Sequence, residues 1–157
     1  MLRVQQTANG QGKSLTTTVP IRRGTAFHQI RQYRPATEKT YTSVQIDINY
    51  DIEEFYLAHL NHSCEPNVII DTTKLELRAI RDIERGEDLT FFYPSTEWQM
   101  AEPFQCLCGS TNCLGKISGA RDLSLNVLGQ YFINQHIGAM AMEHLLVAQQ
   151  IKTPIAV

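Results

Sequence analysis

The chain has 157 residues, of which 43% are hydrophobic, a size and composition typical of one globular domain with a normal core. Its formal charge of −2 and its isoelectric point near 6.2 give no overall basis for nucleic-acid binding, so we expect no direct nucleic-acid partner. Runs of about 18 apolar residues are absent, which argues against a membrane span, and the first residues lack the apolar core of a secretory signal. We therefore expect a cytoplasmic or nuclear protein that is not secreted.

The N-terminal part of the chain alternates short apolar segments with turns. Alternation of apolar and polar residues over 42–48 predicts a half-buried strand. Asp51 and Glu54 have the spacing of a capping box, which predicts a short helix ending near Leu60. The other predicted strands cover 2–6, 14–18, 25–32, 68–70, 75–79 and 88–93, with turns at 9–12, 20–24 and 84–86.

The segment from 122 to 151 has a different pattern, with apolar residues at roughly helical spacing. Gly129 and Gly138 interrupt this pattern, so two helices and one bent helix are both open. We expect the tail to pack on the strand region; a dimer interface and a lid over a binding cleft are the alternatives. The apolar positions are Leu125, Leu128, Phe132, Ile133, Ile137, Met140, Leu145 and Leu146.

Three of the four cysteines fall within eight residues, at Cys106, Cys108 and Cys113. This spacing suits a tetrahedral thiolate site for zinc, and Cys64 supplies the fourth ligand. Without export, disulfides are disfavoured, so one structural zinc ion is the better interpretation. His62 beside Cys64 also allows a cysteine nucleophile with a histidine base. We disfavour it because Cys64 has a better use as a ligand, and we expect the two side chains to point to opposite faces.

Three motifs follow one another along the chain. They are Asn61-His62-Ser63-Cys64-x-Pro66-Asn67, then Arg85-Gly86-Glu87-Asp88-Leu89-Thr90-Phe91-Phe92-Tyr93, then Cys106-x-Cys108-Gly109-x-x-x-Cys113-x-Gly115. In order and separation they resemble the SET domain with its post-SET zinc segment, a family of lysine methyltransferases that use S-adenosylmethionine. The resemblance runs from about residue 12 to residue 117, and the stretch at 92–98 looks most like short, stand-alone SET proteins.

The resemblance implies a mainly β fold with some α-helix, built of small curved sheets. It also implies a pseudoknot, in which the chain near Tyr93 threads beneath the segment that holds Asn61 and so brings two distant motifs together. The chain would divide into a SET domain at 1–100, a post-SET zinc-binding segment at 101–120 and a C-terminal helical tail at 121–157.

The resemblance also implies which residues bind the cofactor. Gly12, Lys13 and Ser14 align with the family's N-terminal cofactor loop, although Ser14 stands where the family usually has a second glycine. Asn61 and the backbone of His62 would hold the methionine part of S-adenosylmethionine. The zinc segment would cover the adenine, with Leu114 as its apolar contact.

Tyr93 is the catalytic residue that the resemblance implies, facing the methyl group to be moved. Transfer to a lysine needs a neutral amine that is positioned and shielded from water, which suits a narrow aromatic channel. We expect Phe91 and Trp98 to line this substrate channel, whereas alternation sends Phe92 to the other face and into the core. Ala58 and Phe92 stand where the family often has a basic residue and an acidic or amide residue.

The expected function is therefore protein-lysine N-methyltransferase, dependent on S-adenosylmethionine and carrying one structural zinc ion. The expected partner is a protein or peptide substrate with a lysine, for which a histone tail is one candidate. Two alternatives remain open: a non-catalytic SET-fold binding module, and a structural zinc protein that dimerises through its helical tail. A homodimer through the C-terminal helices is compatible with any of these functions.

Overall fold

Short strands and turns form most of the protein in the computed structural model, which describes residues 1–7, 10 and 12–152. Two residues of the predicted turn at 9–12 lie outside the described part of the chain. The strands are β1 Leu2–Gln6, β2 Lys13–Thr17, β3 Ala26–Gln29, β4 Tyr33–Pro35, β5 Val44–Asp47, β6 Tyr50–Glu54, β7 Asn61–His62, β8 Val68–Asp71, β9 Glu76–Ala79, β10 Thr90–Phe91, β11 Phe104–Gln105 and β12 Lys116–Ile117. Single 3₁₀ turns cover Leu57–His59, Tyr93–Ser95 and Ala120–Asp122, and the α-helices are α1 Leu125–Leu128 and α2 Gln135–Lys152.

The strands pair into small separate sheets. β1 and β2 form an antiparallel hairpin, and two three-stranded antiparallel sheets have the orders β3-β9-β8 and β4-β6-β5. Apolar side chains on one face of these strands pack against one another. Their removal from water supplies the hydrophobic driving force for this part of the fold. The buried residues of this main core are Leu15, Ile21, Ile30, Val44, Ile52, Leu57, Leu60, Val68, Ile70, Leu77, Ala79, Ile83, Leu89 and Phe91.

The shortest sheet brings together two segments that are far apart in sequence. β7 pairs in parallel with β10, so that Asn61 is opposite Thr90 and His62 is opposite Phe91. The buried Asn67 fixes this crossing, since its side-chain oxygen accepts from the Thr90 N–H (2.8 Å) and its amide nitrogen donates to the Asp88 carbonyl (2.7 Å). The first two motifs therefore meet, and the mainly β fold class is confirmed.

The predicted helix at Asp51–Leu60 is wrong. Residues 50–54 form β6, the central strand of a sheet, because Ile52 is buried and the backbone pairs with neighbours on both sides. Glu54 nevertheless acts as a cap: one of its carboxylate oxygens accepts from the backbone N–H groups of Tyr56 (2.7 Å) and Leu57 (2.8 Å), where the short 3₁₀ turn begins.

The predicted strand at 88–93 is shorter than expected. Pairing stops after Phe91, and Tyr93 begins a 3₁₀ turn in which Pro94 occupies the first turn. Proline favours this position because its fixed φ suits a helical turn and its missing N–H removes a strand hydrogen bond. Phe92 itself remains extended, so Phe91 and Tyr93 keep the shared side that alternation predicts.

The tail forms two helices: α1 ends at Leu128, just before Gly129, whereas Gly138 lies within α2. Leu128 and Ile137 are buried in a second cluster with Phe92, so the tail packs on the strand region as expected. The distal part of α2 is more open and exposes Met142, Leu146 and Val147. Within the described residues, no helix is long and apolar enough to cross a membrane.

Candidate active site and cysteine cluster

The four cysteines converge although Cys64 lies far from the other three in sequence. Their sulfur atoms all lie within 4.8 Å of one another, and the Sγ atoms of Cys64 and Cys106 are 4.0 Å apart. A tetrahedral zinc site with Zn–S bonds of about 2.3 Å requires sulfurs separated by about 3.8 Å. The cluster therefore fits one tetrahedral ion, and the four cysteines could hold a metal.

The electrostatics of the cluster also favour a cation. Burial raises the pKa of the Cys64 thiol to about 11, and burial raises the pKa of Cys106 as well. Although desolvation opposes ionisation of Cys108, a hydrogen bond from the Ser110 side chain (2.9 Å) lowers its pKa to about 6. Four neighbouring thiols cannot all ionise unless a positive charge compensates them, and a bound divalent metal provides that charge.

His62 links the cysteine cluster to the segment that carries Tyr93. Its Nδ1 accepts from the Tyr93 backbone N–H (3.2 Å), so the ring proton resides on Nε2, which donates to the Cys64 sulfur at 3.3 Å. Burial lowers the His62 pKa to about 4, which keeps the ring neutral. The expectation that the side chains of His62 and Cys64 point apart is wrong, because residues two apart on an extended segment share a face. His62 is therefore a neutral hydrogen-bond donor to Cys64, which could ligate a metal.

The N-terminal residues predicted to bind the cofactor lie near Asn61. The Asn61 side chain donates to the Lys13 carbonyl at 3.1 Å, which joins β7 to the start of β2. Ser14 is buried, and its hydroxyl donates to an Asp88 carboxylate oxygen at 2.8 Å. Apart from chain neighbours, no described heavy atom lies within 4 Å of the point where a Cβ of Gly12 would stand. Gly12 therefore leaves room for a ligand, whereas the Ser14 hydroxyl is already engaged.

A large cavity of about 480 Å³ opens beside Asn61, within the usual size range of small-molecule sites. The cysteine segment forms one wall of this cavity, and the motif at 61–62 forms another. Its lining residues are Tyr41, Asn61, His62, Tyr93, Met100, Glu102, Pro103, Phe104, Cys106, Leu107 and Cys108.

Leu114, the predicted adenine contact, does not line this cavity. It packs between the cysteine cluster and the tail, and its backbone N–H donates to the Cys64 sulfur at 3.4 Å. Leu107 and Phe104 supply the apolar surface of the cavity instead, and the Leu107 side chain is 90% exposed. Leu107 stands between two predicted ligands, Cys106 and Cys108. An apolar residue at that position was the feature of the sequence that could have indicated its place in the cavity.

Tyr93 lines both the large cavity and a narrow one of about 30 Å³, as do Tyr41 and Met100. Its hydroxyl donates to the Leu60 carbonyl at 2.9 Å, which leaves the oxygen able to accept another hydrogen bond. Burial, reinforced by the negative charge of Glu97, raises the Tyr93 pKa, so the phenol stays protonated at neutral pH. Tyr93 is thus a neutral polar group shared by the two cavities.

The narrow cavity has a predominantly apolar inner wall. Phe91 is buried there, with its ring centroid 4.8 Å from that of Tyr93. Leu57, Leu60 and Ala58 complete this wall. Threonine, serine and glutamate side chains line the other side of this cavity, so its lining combines apolar and polar groups.

Trp98 lies outside both cavities. It packs with the tail, where its ring lies edge-on to His144 at 5.8 Å, so the structure does not place it in the substrate channel as predicted. Glu97, which sequence analysis missed, lines the narrow cavity instead. Its carboxylate forms an ion pair with Lys39, which also pairs with Asp51 (2.8 Å). This buried pair anchors the loop that carries Lys39, which forms the outer wall of the cavity.

Comparison with known proteins identifies the fold and family. The SET domain family model matches residues 6–94, more than half of the chain. The chain is 43% identical over 139 residues to Methyltransferase flvH of Aspergillus flavus, covering 87% of this chain and 78% of that protein. The chain therefore belongs to the SET-domain family, which is a family of methyltransferases.

More distant relatives share the same core. The chain is 43% identical over 63 residues to an H3 lysine-4 specific histone-lysine N-methyltransferase of Aspergillus oryzae, covering 36% of this chain and 5% of that protein. The structure of KRYPTONITE in complex with mCHG DNA and SAH matches with a TM-score of 0.58 and 21% identity, covering 73% of this chain and 28% of that one. The methyltransferase domain of human SETMAR matches with a TM-score of 0.56 and 18% identity, covering 75% of this chain and 58% of that one. These structures support the fold.

Proposed function

We propose that the protein transfers a methyl group from S-adenosylmethionine to the side-chain amine of a lysine in a protein. The observation that carries this proposal is that Tyr93 lines both a large cavity and a narrow one. A methyl donor and a lysine amine must approach each other from opposite sides of the moving methyl group, and two neighbouring cavities that share Tyr93 suit that requirement.

S-adenosylmethionine, when bound, supplies an electrophilic methyl group on a sulfonium. The residues that fit it line the large cavity: Asn61 and the His62 backbone at one side, Phe104 and Leu107 at the other. The Lys13 carbonyl accepts from Asn61 beside this candidate site, although Gly12, Lys13 and Ser14 are not among the residues that line the large cavity. The apolar surface of Leu107, which is open to solvent, gives an adenine ring a face to pack on.

The narrow cavity would take the lysine. The amine has to lose its proton to water before transfer, because only the neutral amine has a lone pair with which to attack the methyl group. The Tyr93 oxygen can then accept a hydrogen bond from the neutral amine, because the Tyr93 proton is used on the Leu60 carbonyl. Tyr93 orients the amine and does not act as the base, since its own pKa is raised.

Zinc is the ion that the four thiolates would hold best, given a soft tetrahedral sulfur set. Its role would be structural, because all four coordination positions are taken by the protein. By fixing Cys106 and Cys108, zinc would hold Leu107 and Phe104 at the mouth of the large cavity.

A histone tail is a candidate substrate because the family includes enzymes named for histone H3 lysines 4 and 36. The chain covers only 5% and 7% of two such proteins, so their other parts offer no guide to its targets. The nuclear or cytoplasmic location and the homodimer through α2 stay predictions.

Isothermal titration with S-adenosylmethionine, followed by intact-mass measurement of candidate proteins, tests the proposal. We expect saturable binding by the parent, binding weakened about tenfold or more in Asn61→Ala, and unchanged binding in Asn126→Ala, which truncates an exposed asparagine of α1. Binding without any added mass on a broad protein set would indicate a non-catalytic module. Zinc binding with no uptake of S-adenosylmethionine would indicate a structural zinc protein.

A further inference from the structure

Tyr131, in the connection between α1 and α2, contacts both motifs of the candidate active site. Its hydroxyl donates to the Cys64 carbonyl at 2.9 Å. Its ring lies flat on the ring of Phe92, with centroids 3.7 Å apart and planes inclined by 5°. One tail residue thus touches the residue two positions after His62 and the residue immediately before Tyr93.

The Cys64 carbonyl is a junction of three segments. Besides the bond from Tyr131, it accepts one from the Asn112 side-chain amide at 3.0 Å, and that amide also lies 3.4 Å from the Tyr131 hydroxyl. The segment that carries Cys64, the segment that carries the other three cysteines and the tail therefore meet at a single oxygen atom. Because Cys64 is fully buried, loss of a donor there would not be replaced freely by water.

The tail is held firmly enough to position other residues. The buried side chain of Asn134 donates to the carbonyls of Ile70 (2.8 Å) and Ser95 (3.0 Å) and accepts from the backbone N–H of Thr72 (2.9 Å). These bonds use all but one of its polar positions and tie the start of α2 to β8 and to the turn that Tyr93 begins. Tyr131 lies only three residues earlier and is constrained with it.

We propose that Tyr131 is a positioning residue of the active site, which holds Cys64 and Phe92 and thereby fixes the backbone at Asn61–His62 and at Tyr93. Buried Leu128 and Ile137 also pack the tail on the strand region, so the flat stack and the hydroxyl bond of Tyr131 are additional contacts. The proposal also accounts for an aromatic residue at Phe92, where the family often has an acidic or amide residue. Its consequence for cofactor affinity rests on the proposed function.

Three variants test this proposal. Tyr131→Phe removes only the hydroxyl bond, Tyr131→Leu also removes the ring stack, and Tyr50→Phe removes a hydroxyl from an exposed tyrosine of β6 as the matched control. The first measurement is residue-resolved amide hydrogen exchange. The informative amides are Ser63, which donates to the Phe91 carbonyl (3.1 Å), and Tyr93, which donates to His62. The amides of β9 serve as the internal reference.

We expect exchange at Ser63 and Tyr93 to be about fivefold faster in Tyr131→Phe, with β9 unchanged, because one hydrogen bond is lost. Tyr131→Leu should raise this to about twentyfold or more, since the aromatic contact is lost too. Affinity for S-adenosylmethionine should fall in the same order and by similar factors, with zinc content unchanged. A smaller loss of affinity in Tyr131→Phe than in Tyr131→Leu is the expected result, because the phenylalanine variant keeps the ring stack.

Equal acceleration in β9 would show that Tyr131 only stabilises the whole fold, and unchanged exchange at Ser63 and Tyr93 would show that it positions nothing. If Tyr131→Leu does not fold, Tyr131→Phe decides the matter, because it keeps the ring. Failure of the parent to bind S-adenosylmethionine would contradict the proposed function alone, since the exchange comparison needs no cofactor.

Discussion

The strand region before Tyr93 and the region after it are stabilised in different ways. The strand region has one continuous core, whose largest side chains are almost completely buried. The C-terminal region has two small clusters, one around the cysteines and one between the tail and Phe92. Hydrophobic burial therefore stabilises the first region, whereas we expect the cysteine segment to depend on a bound metal and on contacts with its neighbour. The candidate active site lies at the boundary, where Tyr93 packs against both the main core and the cysteine cluster.

Removal of the metal should have the largest effect, and it should be confined to the C-terminal region at first. We expect one zinc per chain in the parent and none tightly held in Cys64→Ser, with loss of exchange protection at 104–117 while β8 and β9 stay protected. A structural zinc contributes on the order of 10 kcal/mol to a site that has little core of its own. Elemental analysis and amide exchange measure this, and Thr111→Ala, in the same segment, is the control. Stoichiometric, tightly held zinc in Cys64→Ser would exclude Cys64 as the fourth ligand.

Tyr93→Phe should separate chemistry from stability at the boundary between the regions. The change removes one hydroxyl, so both regions should keep their fold, zinc and cofactor affinity. We expect the rate of methyl transfer to fall by about 10²-fold, because the group that orients the amine is lost. Single-turnover rates with a validated substrate measure this, with Tyr50→Phe as the control. Turnover as fast as that of the parent would move the active site elsewhere.

Acid should weaken the strand region through Glu54. Burial opposes ionisation of this carboxyl, but the contact with His28 Nε2 (3.3 Å) and the hydrogen bonds from the backbone of Leu57 and Tyr56 hold its pKa below the ordinary value of 4.5. The stabilisation by ionised Glu54 is therefore complete above about pH 4.5 and is lost as pH falls through the folded-state pKa. Glu54→Gln should lower stability at pH 7 by about 1–3 kcal/mol and flatten the acid dependence of Tm.

The control for this prediction is Glu53→Gln, which alters the neighbouring carboxyl that pairs with the exposed guanidinium of Arg34. A pair of this kind contributes less than about 1 kcal/mol, so the acid dependence of Tm should remain as in the parent. The same acid dependence in Glu54→Gln as in the parent would contradict the assignment to Glu54.

The smallest expected effect concerns how many methyl groups are added. Phe91 has no hydroxyl with which to hold a water or an amine in the narrow cavity, so we expect the parent to form dimethyl or trimethyl lysine. Phe91→Tyr should shift the products towards monomethyl lysine, because an added hydroxyl would restrict rotation of the methylated amine. Mass spectrometry over long incubations measures the distribution, and exposed Phe55→Tyr is the control. Monomethyl lysine alone from the parent would contradict this prediction.

Much of the strand region could be predicted from the sequence because its pattern is local. Alternation predicted the strand at 42–48, observed as β5, and β-prone segments between turns predicted β1, β8 and β9. The capping pattern at Asp51 and Glu54 predicted a helix where a strand forms, because this strand has partners on both sides and pairing between distant segments decides the outcome. The division of the chain at residues 100 and 120 stays a prediction.

The sequence by itself determined the chemistry of the site: four cysteines at ligand spacing, and the motifs that carry Asn61 and Tyr93. The tertiary structure alone decided which side chains face the cavities. It placed Leu107, Phe104 and Glu97 there, and it placed Leu114 and Trp98 elsewhere. It also brought Tyr131 to the Cys64 carbonyl. Such contacts join residues that lie far apart in sequence, and side-chain spacing along the chain carries no information about them.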